Sequence, residues 1–418
     1  MKLKASLLLS LVGWLALLAG AADFEPPATF QASKILPAGL VKGPHHTVAE
    51  SVTAEGYYQE FHITSSYGEM DAEGRSVLKT RVVEVDALAR LSEVSKGEVF
   101  AKAAGGAVLN VGKGVTAVVK DPGATAKGVG AGVKRFGTNL GRKGKSAAES
   151  ATADKPEGAD KSTADMAGNA ALSVVGVNGA ARKWAQKLNV DPYTTNAILH
   201  DALVSVGKID SAGSIAAKVV VPIPMVVSTT ATVGGLVWGK DPQEVHKINE
   251  TRLAELGVAK DEAARFLKSP AFTLTNITRF IGALHSVKAK GCADYISAAA
   301  ESKDEREALF FVESAELLAG LHKTQPVSAI LEDSRAMIAK TSDGRAIAML
   351  PFDYVRWTER LAKSALEIAA RARQELGATI LEADVTGTTS AAAKAGLERA
   401  GWKLKENVTE GLLFKPAD

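Results

Sequence analysis

The spacing of apolar residues changes several times along this chain, and each change predicts a different element. Residues 23–48, DFEPPATFQASKILPAGLVKGPHHTV, hold four prolines and little periodicity, which predicts an extended segment. The following GYYQEFHITSSYGEMDAEG carries aromatic and β-branched residues around Tyr58 and His62 and a Ser-Ser-Tyr-Gly break, the pattern of a short hairpin. From Arg75 the period lengthens. Leu78, Val82, Val85 and Leu88 share one helical face as far as about Val94. Ser95 and Glu98 then make an S-x-x-E capping box that opens a second helix.

Asp-Pro recurs at Asp121-Pro122, Asp191-Pro192 and Asp241-Pro242. With Asp as N-cap and Pro in the first turn, each reads as a helix start. Between 166 and 330 the pattern predicts helices over 168–188, 192–208, 241–256, 259–268, 273–289 and 304–323. Inserted among them, VVVPIPMVVSTTATVGGLVW (219–238) carries no charge. Its length suits a membrane span. Pro222, Pro224 and the many β-branched residues instead suit a buried irregular segment. Core packing, membrane contact and a span all stay open.

The last ninety residues change texture again. RAMIAKTSDGRAIAML predicts two strands around Asp343-Gly344. A helix over 353–376 follows, capped by Asp353 and stopped by Gly377, then strand 378–385, helix 388–400 and strand 402–406. The expected fold class is α+β and predominantly helical. It comprises an N-terminal hairpin with helices (22–143), a central helical domain (166–330) and a small C-terminal ββαβαβ subdomain (331–418). Residues 144–165 lack large apolar side chains and are expected to be a flexible linker.

Composition narrows this picture at three points. Lys2 and Lys4 precede an apolar run from Leu7 to Leu18 and then Ala19-Gly20-Ala21-Ala22, which predicts a secretory signal peptide over 1–21. The apolar run falls short of the ~20 residues a span needs. A single cysteine, Cys292, excludes an intrachain disulfide framework, and a buried thiol is expected. A formal net charge of +3 argues against nucleic acid as a partner.

No catalytic signature emerges. H-E-x-x-H, C-x-x-C, G-x-S-x-G and G-x-x-x-x-G-K-[ST] are all missing, so neither metal nor cofactor is expected. His45-His46 reads as an exposed loop pair. DVTGTTS (384–390) joins a strand to a helix. Thr388, Thr389 and Ser390 could contact an anion there, or simply cap the helix. Asn-x-Thr triplets at Asn249, Asn276 and Asn407 would matter only in a glycosylating host.

Charge does cluster in one stretch, GKGVTAVVKDPGATAKGVGAGVKRFGTNLGRKGK (112–145). It holds nine glycines and eight basic residues against Asp121 alone. Val115, Val119, Pro122, Ala126, Val129, Val133, Phe136 and Leu140 form a heptad-spaced apolar seam, and Lys113, Lys120, Lys127 and Lys134 recur every seven residues. With Arg135, Arg142 and Lys143 this reads as a basic, amphipathic helix pair. Its glycines cost about 1 kcal/mol each relative to alanine, so it needs a contacting surface. That surface is either its own domain or an anionic bilayer.

EVFAKAAGG, RFGTNLGRK, DPYTTNAIL and LERAGWKL together resemble a group of uncharacterised secreted bacterial proteins, over most of the mature chain. The resemblance implies export and brings no activity, cofactor or catalytic residue with it. The expectation is thus an exported, non-enzymatic envelope protein, periplasmic or secreted. It would meet an anionic membrane surface or an envelope protein through Lys113, Lys120, Lys127, Lys134, Arg135, Phe136, Arg142 and Lys143. The alternatives are an enzyme with a site near Asp384–Ser390, or a secreted membrane-permeabilising factor.

Overall fold

The computed structural model describes residues 24–94, 176–211 and 231–408, and its helices and strands are mixed. The predicted leader, the helix from Ser95, the basic stretch with Lys113 to Lys143, the 144–165 linker and most of the uncharged run lie outside these residues.

The proline-rich N-terminal segment is more structured than its lack of period suggests. It supplies β1 (Ala28–Gln31), the single turns α1 (Ala32–Ile35) and α2 (Ala38–Val41), β2 (His46–Val48) and β3 (Ser51–Ala54). These strands of three or four residues are too short to declare a period of two. Strand β1 pairs β3, and the partner of β2 and β3 is downstream: β4 (Glu60–Ser65) pairs both along one edge and β5 (Gly68–Glu73) along the other. The β4–β5 hairpin lies where expected. His46, expected exposed, is instead buried in β2, with its ring nitrogen 3.2 Å from the carbonyl oxygen of Leu40. Phe61, Ile63 and Val52 point from the sheet onto Leu78 and Val82 of α3 (Arg75–Val94).

Beyond α3 come α4 (Gly179–Leu188) and α5 (Ala197–Ser211), which bury Trp184, Leu188, Leu199 and Leu203 against Val85, Leu88 and Leu91. Next is α6 (Ala231–Gly239), where Val233, Leu236 and Val237 are buried. Among the described residues no helix is long and apolar enough to cross a membrane. Helices α7 (Pro242–Glu255), α8 (Lys260–Leu267), α9 (Leu274–Val287), α10 (Cys292–Ala299) and α11 (Glu305–Thr324) follow. Asp241 caps α7 as its Asp-Pro start predicts, accepting from the Gln243 amide. Phe266, Phe272, Phe280, Tyr295 and Phe311 pack ring against ring between α8, α9, α10 and α11. Cys292 is buried, as expected. Asn249 and Asn276 are also buried, so neither side chain is open to modification in the folded chain.

The C-terminal region is a five-stranded sheet in the order β12-β10-β8-β7-β6. Its strands are β6 (Val327–Ile330), β7 (Met337–Thr341), β8 (Arg345–Leu350), β10 (Ile380–Val385) and β12 (Trp402–Lys405), with β9 (Tyr354–Val355) pairing β11 (Thr388–Thr389) apart from it. Strands β7 and β8 form the predicted hairpin, and Gly344 takes the positive φ that its turn requires. Strands β8, β10 and β12 are parallel, joined by α12 (Glu359–Glu375) and α13 (Ala391–Arg399) on one face. Gly396 brings α13 so close to the Trp357 ring that a Cβ there would collide with it. The opposite face, through Met337, Ala339, Ile347 and Met349, joins the aromatic core under α9 and α11. The boundary expected at 330/331 therefore falls between the sheet's own strands. One core runs across it, because β6 belongs to the sheet while α11 covers that sheet.

Three expected helix starts lie elsewhere. Thr358, not Asp353, caps α12. Asp353 is buried, and its Oδ2 accepts the Gln59 and Arg75 amides at 3.1 and 3.0 Å, so it caps α3 from 278 positions away. Asp191-Pro192 opens a loop, not a helix, and α5 begins five residues further on at Ala197. Ser390 caps α13 through the Ala393 amide, making the capping reading of DVTGTTS correct for that residue.

Candidate functional site

Six ionisable side chains, Arg81, Glu84, Asp191, Arg279, Glu305 and Glu313, come together in one place. It is a cavity of about 90 Å³ lined by α3, the Val190–Thr195 loop, the start of α9 and α11. A single water needs ~10–15 Å³ on this measure, so the cavity holds several waters or a ligand of a few heavy atoms.

From α3 come Arg81 and Glu84, one turn apart on a helix whose neighbouring positions are Val82, Val83 and Val85. Glu84 is 2% exposed, and every bond it makes is internal. Arg81 Nη1 donates to its Oε2 at 2.8 Å, Asn196 Nδ2 donates to the same oxygen at 3.1 Å, and the Thr194 hydroxyl donates to Oε1. The other arm of Arg81 reaches Thr195 Oγ1 at 2.9 Å and lies 3.6 Å from Glu305 on α11. Burial alone works against the Arg81 charge, but Glu84 and Glu305 outweigh it and hold the guanidinium ionised.

These bonds explain why residues 191–196, DPYTTN, form a loop. Thr194 Oγ1 accepts the Asn196 amide, and Asn196 Oδ1 accepts the Ile198 and Leu199 amides, so Asn196 is the cap of α5. The same two side chains donate to Glu84. A helix running from Pro192 would turn them away from that buried carboxylate, leaving its charge without two of its donors.

Asp191 differs from the other acids. Its Oδ1 accepts from the Tyr193 amide at 2.8 Å and from Thr275 Oγ1, on α9, at 2.6 Å. Among the described residues no cation lies within salt-bridge distance of it. Burial pushes its carboxyl up to about 6, opposed by the bonds from Thr275 and Tyr193 and further raised by the charge of Glu84. Arg279 is close enough to act on it but is engaged elsewhere. Its Nε and Nη2 form a bidentate pair with Glu316 at 2.8 Å each, and Nη1 donates to Asn276 at 3.0 Å. On the α11 side Arg306 pairs with Glu313 at 2.7 Å and lies over the Tyr58 ring at 4.0 Å. The lining thus carries Glu84, Asp191, Glu305 and Glu313 against Arg81 and Arg279. Among the described residues carboxylates are in excess, and Asp191 has no ionic partner of its own.

Of the residues singled out from the sequence, the described ones, Thr388, Thr389 and Ser390, do not line this cavity. Lys113, Lys120, Lys127, Lys134, Arg135, Phe136, Arg142 and Lys143 lie outside the described residues. Thr388, Thr389 and Ser390 are 190 or more positions from the loop, at the start of α13, and the chain's own carboxylates stand against Thr389 and Ser390. Glu406 accepts from the Thr389 amide and hydroxyl, while Glu25 accepts from the Ser390 hydroxyl and from the Trp357 amide at 2.6 Å. Asp384, on β10, is buried. Its carboxyl is pushed up to about 7 by burial and by Glu382, against the opposing charges of Lys405 and Arg345. Among the described residues no group of three or more histidine, cysteine or acidic side chains is arranged to hold a metal ion.

Sequence reading missed the cavity because it is assembled from four separated segments. One local signal existed. Arg81 and Glu84 interrupt an apolar helical run, and DPYTTN packs five hydrogen-bonding side chains into six positions. No protein-family model, curated protein or solved structure matches this chain, so the site stands on its own geometry.

Proposed function

We propose that this chain is an exported, non-enzymatic binding protein of the cell envelope, and that the cavity between α3, the 191–196 loop, α9 and α11 is its receptor for a small polar solute. The observation that carries this reading is Asp191, a carboxyl held in a formed cavity with no counter-ion among the described residues. A group with no ionic partner destabilises the fold that buries it, and such uncompensated groups cluster where a ligand completes the arrangement. The surrounding ion pairs keep the lining rigid before any ligand arrives, which lowers the ordering cost of binding. In this reading the helical region and the C-terminal α/β region act together as the binding body, because α11 belongs to both.

A panel of small polar solutes, neutral, anionic and cationic, tests this by isothermal titration against the purified mature chain. Saturable binding of any member, lost when Ser76→Phe fills the cavity wall, supports the reading; no binding across the panel overturns it.

A second reading, peripheral attachment to an anionic membrane, rests on the eight basic residues opposed by Asp121 alone in 112–145. Flotation with anionic vesicles at low and high salt tests it, and failure to float at low salt counts against it. Separating the native protein into soluble, salt-released and detergent-released pools tests the envelope location common to both.

A further inference from the structure

The charges around the cavity say more about what it binds. Working inward, each guanidinium is already matched: Arg81 by Glu84 and Glu305, Arg279 by Glu316, and Arg306 by Glu313. Among the described residues an incoming anion would find no free guanidinium at the cavity and would face the acidic surplus. A neutral solute would leave Asp191 as it is. Only a cation relieves the imbalance.

The chemistry of that cation follows from the donor set and the space. Both hydrogen bonds to Asp191 fall on Oδ1, which leaves Oδ2 to accept from a ligand. The hydroxyls of Ser76, Thr80 and Thr195 line the same space. A divalent metal ion requires a group of ligating side chains close together, and among the described residues no such group is present. An ammonium instead needs one carboxylate and a few neutral acceptors, as offered here. The volume admits only a few heavy atoms.

We infer that the cavity binds a small primary amine in its protonated form, with the Asp191 carboxylate as its counter-ion and the surrounding hydroxyls as its remaining acceptors. This rests on the reading of the cavity as a receptor and names its ligand class. Thr275, Arg279 and Glu84 act directly on Asp191, and Arg81 from α3 and Glu305 and Glu313 from α11 line the same cavity. Of these, the arginines are held ionised by their partners, so Asp191 governs how binding varies with pH near neutrality. Affinity is therefore expected to be constant above about pH 7 and to fall roughly tenfold per unit below about pH 6. For a ligand of four heavy atoms the attainable Kd is no tighter than about 40 µM.

The test is isothermal titration of the full mature chain with ethanolamine hydrochloride at pH 7.5 and pH 5, with sodium chloride, acetate and glycerol as separate arms. The expected result is saturable ethanolamine binding at pH 7.5, at least tenfold weaker at pH 5 and in Asp191→Asn. Glu305→Gln, at the cavity rim, is expected to weaken it a few-fold. Heats indistinguishable from sodium chloride, or binding unchanged in Asp191→Asn, overturn the inference. If glycerol or acetate binds in place of the amine, the ligand class is wrong and the receptor reading stands. If nothing binds, both fall.

Discussion

Replacing Asp191 by asparagine should make this protein more stable at neutral pH and no more stable in acid. The side chains are isosteric, and the asparagine oxygen can still accept from the Tyr193 amide and the Thr275 hydroxyl. What is lost is the charge. Burial raises the Asp191 carboxyl from its ordinary value of 3.8 to about 6. Each unit is worth about 1.4 kcal/mol, so the folded chain forgoes about 3 kcal/mol when the group ionises. The sign follows from proton counting. Between about pH 4 and pH 6 the folded state holds a proton that the unfolded state has released, so wild-type stability declines as pH rises through that window. Above it the deficit is complete, and below pH 4 it vanishes. Urea unfolding of both proteins at pH 4, 5, 6 and 7.5, without amine, measures the difference directly. The variant should match wild type at pH 4 and exceed it by up to about 3 kcal/mol at pH 7.5. A difference that stays flat over this range, or that favours wild type as pH rises, refutes the assignment of an uncompensated charge.

Glu84→Ala removes the acceptor shared by Arg81, Thr194 and Asn196, and should cost about 3–5 kcal/mol in urea unfolding, because it leaves buried donors and a guanidinium short of a partner. Asp353→Ala should cost about 1–2 kcal/mol and raise amide exchange at Gln59 and Arg75, leaving the α12 amides unaffected; unchanged exchange at Arg75 would show that the cap is dispensable. Cys292, whose thiol burial pushes up to about 11, should resist iodoacetamide at pH 8 in the folded chain and react fully in urea. Rapid labelling of the native protein would contradict its burial.

Elements stabilised by neighbours in sequence were legible; those stabilised across the fold were not. The Asp343-Gly344 turn, the Asp241 cap, the apolar face of α3 and the β10–α13–β12 succession all carry their causes within a few residues. The failures share one physical origin. Asp353 resembles the cap of the helix that follows it, yet its carboxylate is taken by amides at Gln59 and Arg75. Asp191-Pro192 has the form of a helix start, yet Glu84 draws Thr194 and Asn196 into a loop. Strands β2 and β3 take their order from β4, and β1 takes its order from β3, so none of the three declares itself by a local period. The candidate site belongs entirely to this second class. Its residues come from positions 76–84, 190–195, 273–279 and 305–313, and nothing in any one segment states that the others will be there.

The cap that Asp353 provides for α3 also governs the order in which the chain can mature. A polypeptide emerges N-terminus first, whether from a ribosome or through a translocation channel, so the amides at the start of α3 wait for 278 further residues before their acceptor exists. The anchoring of Glu25 to Trp357 and Ser390 waits longer still. Contacts of such separation slow folding and lengthen exposure of half-made apolar surface. The last contacts of the N-terminal sheet and α3 can therefore close only once the C-terminal strands have been made, although that sheet is made first.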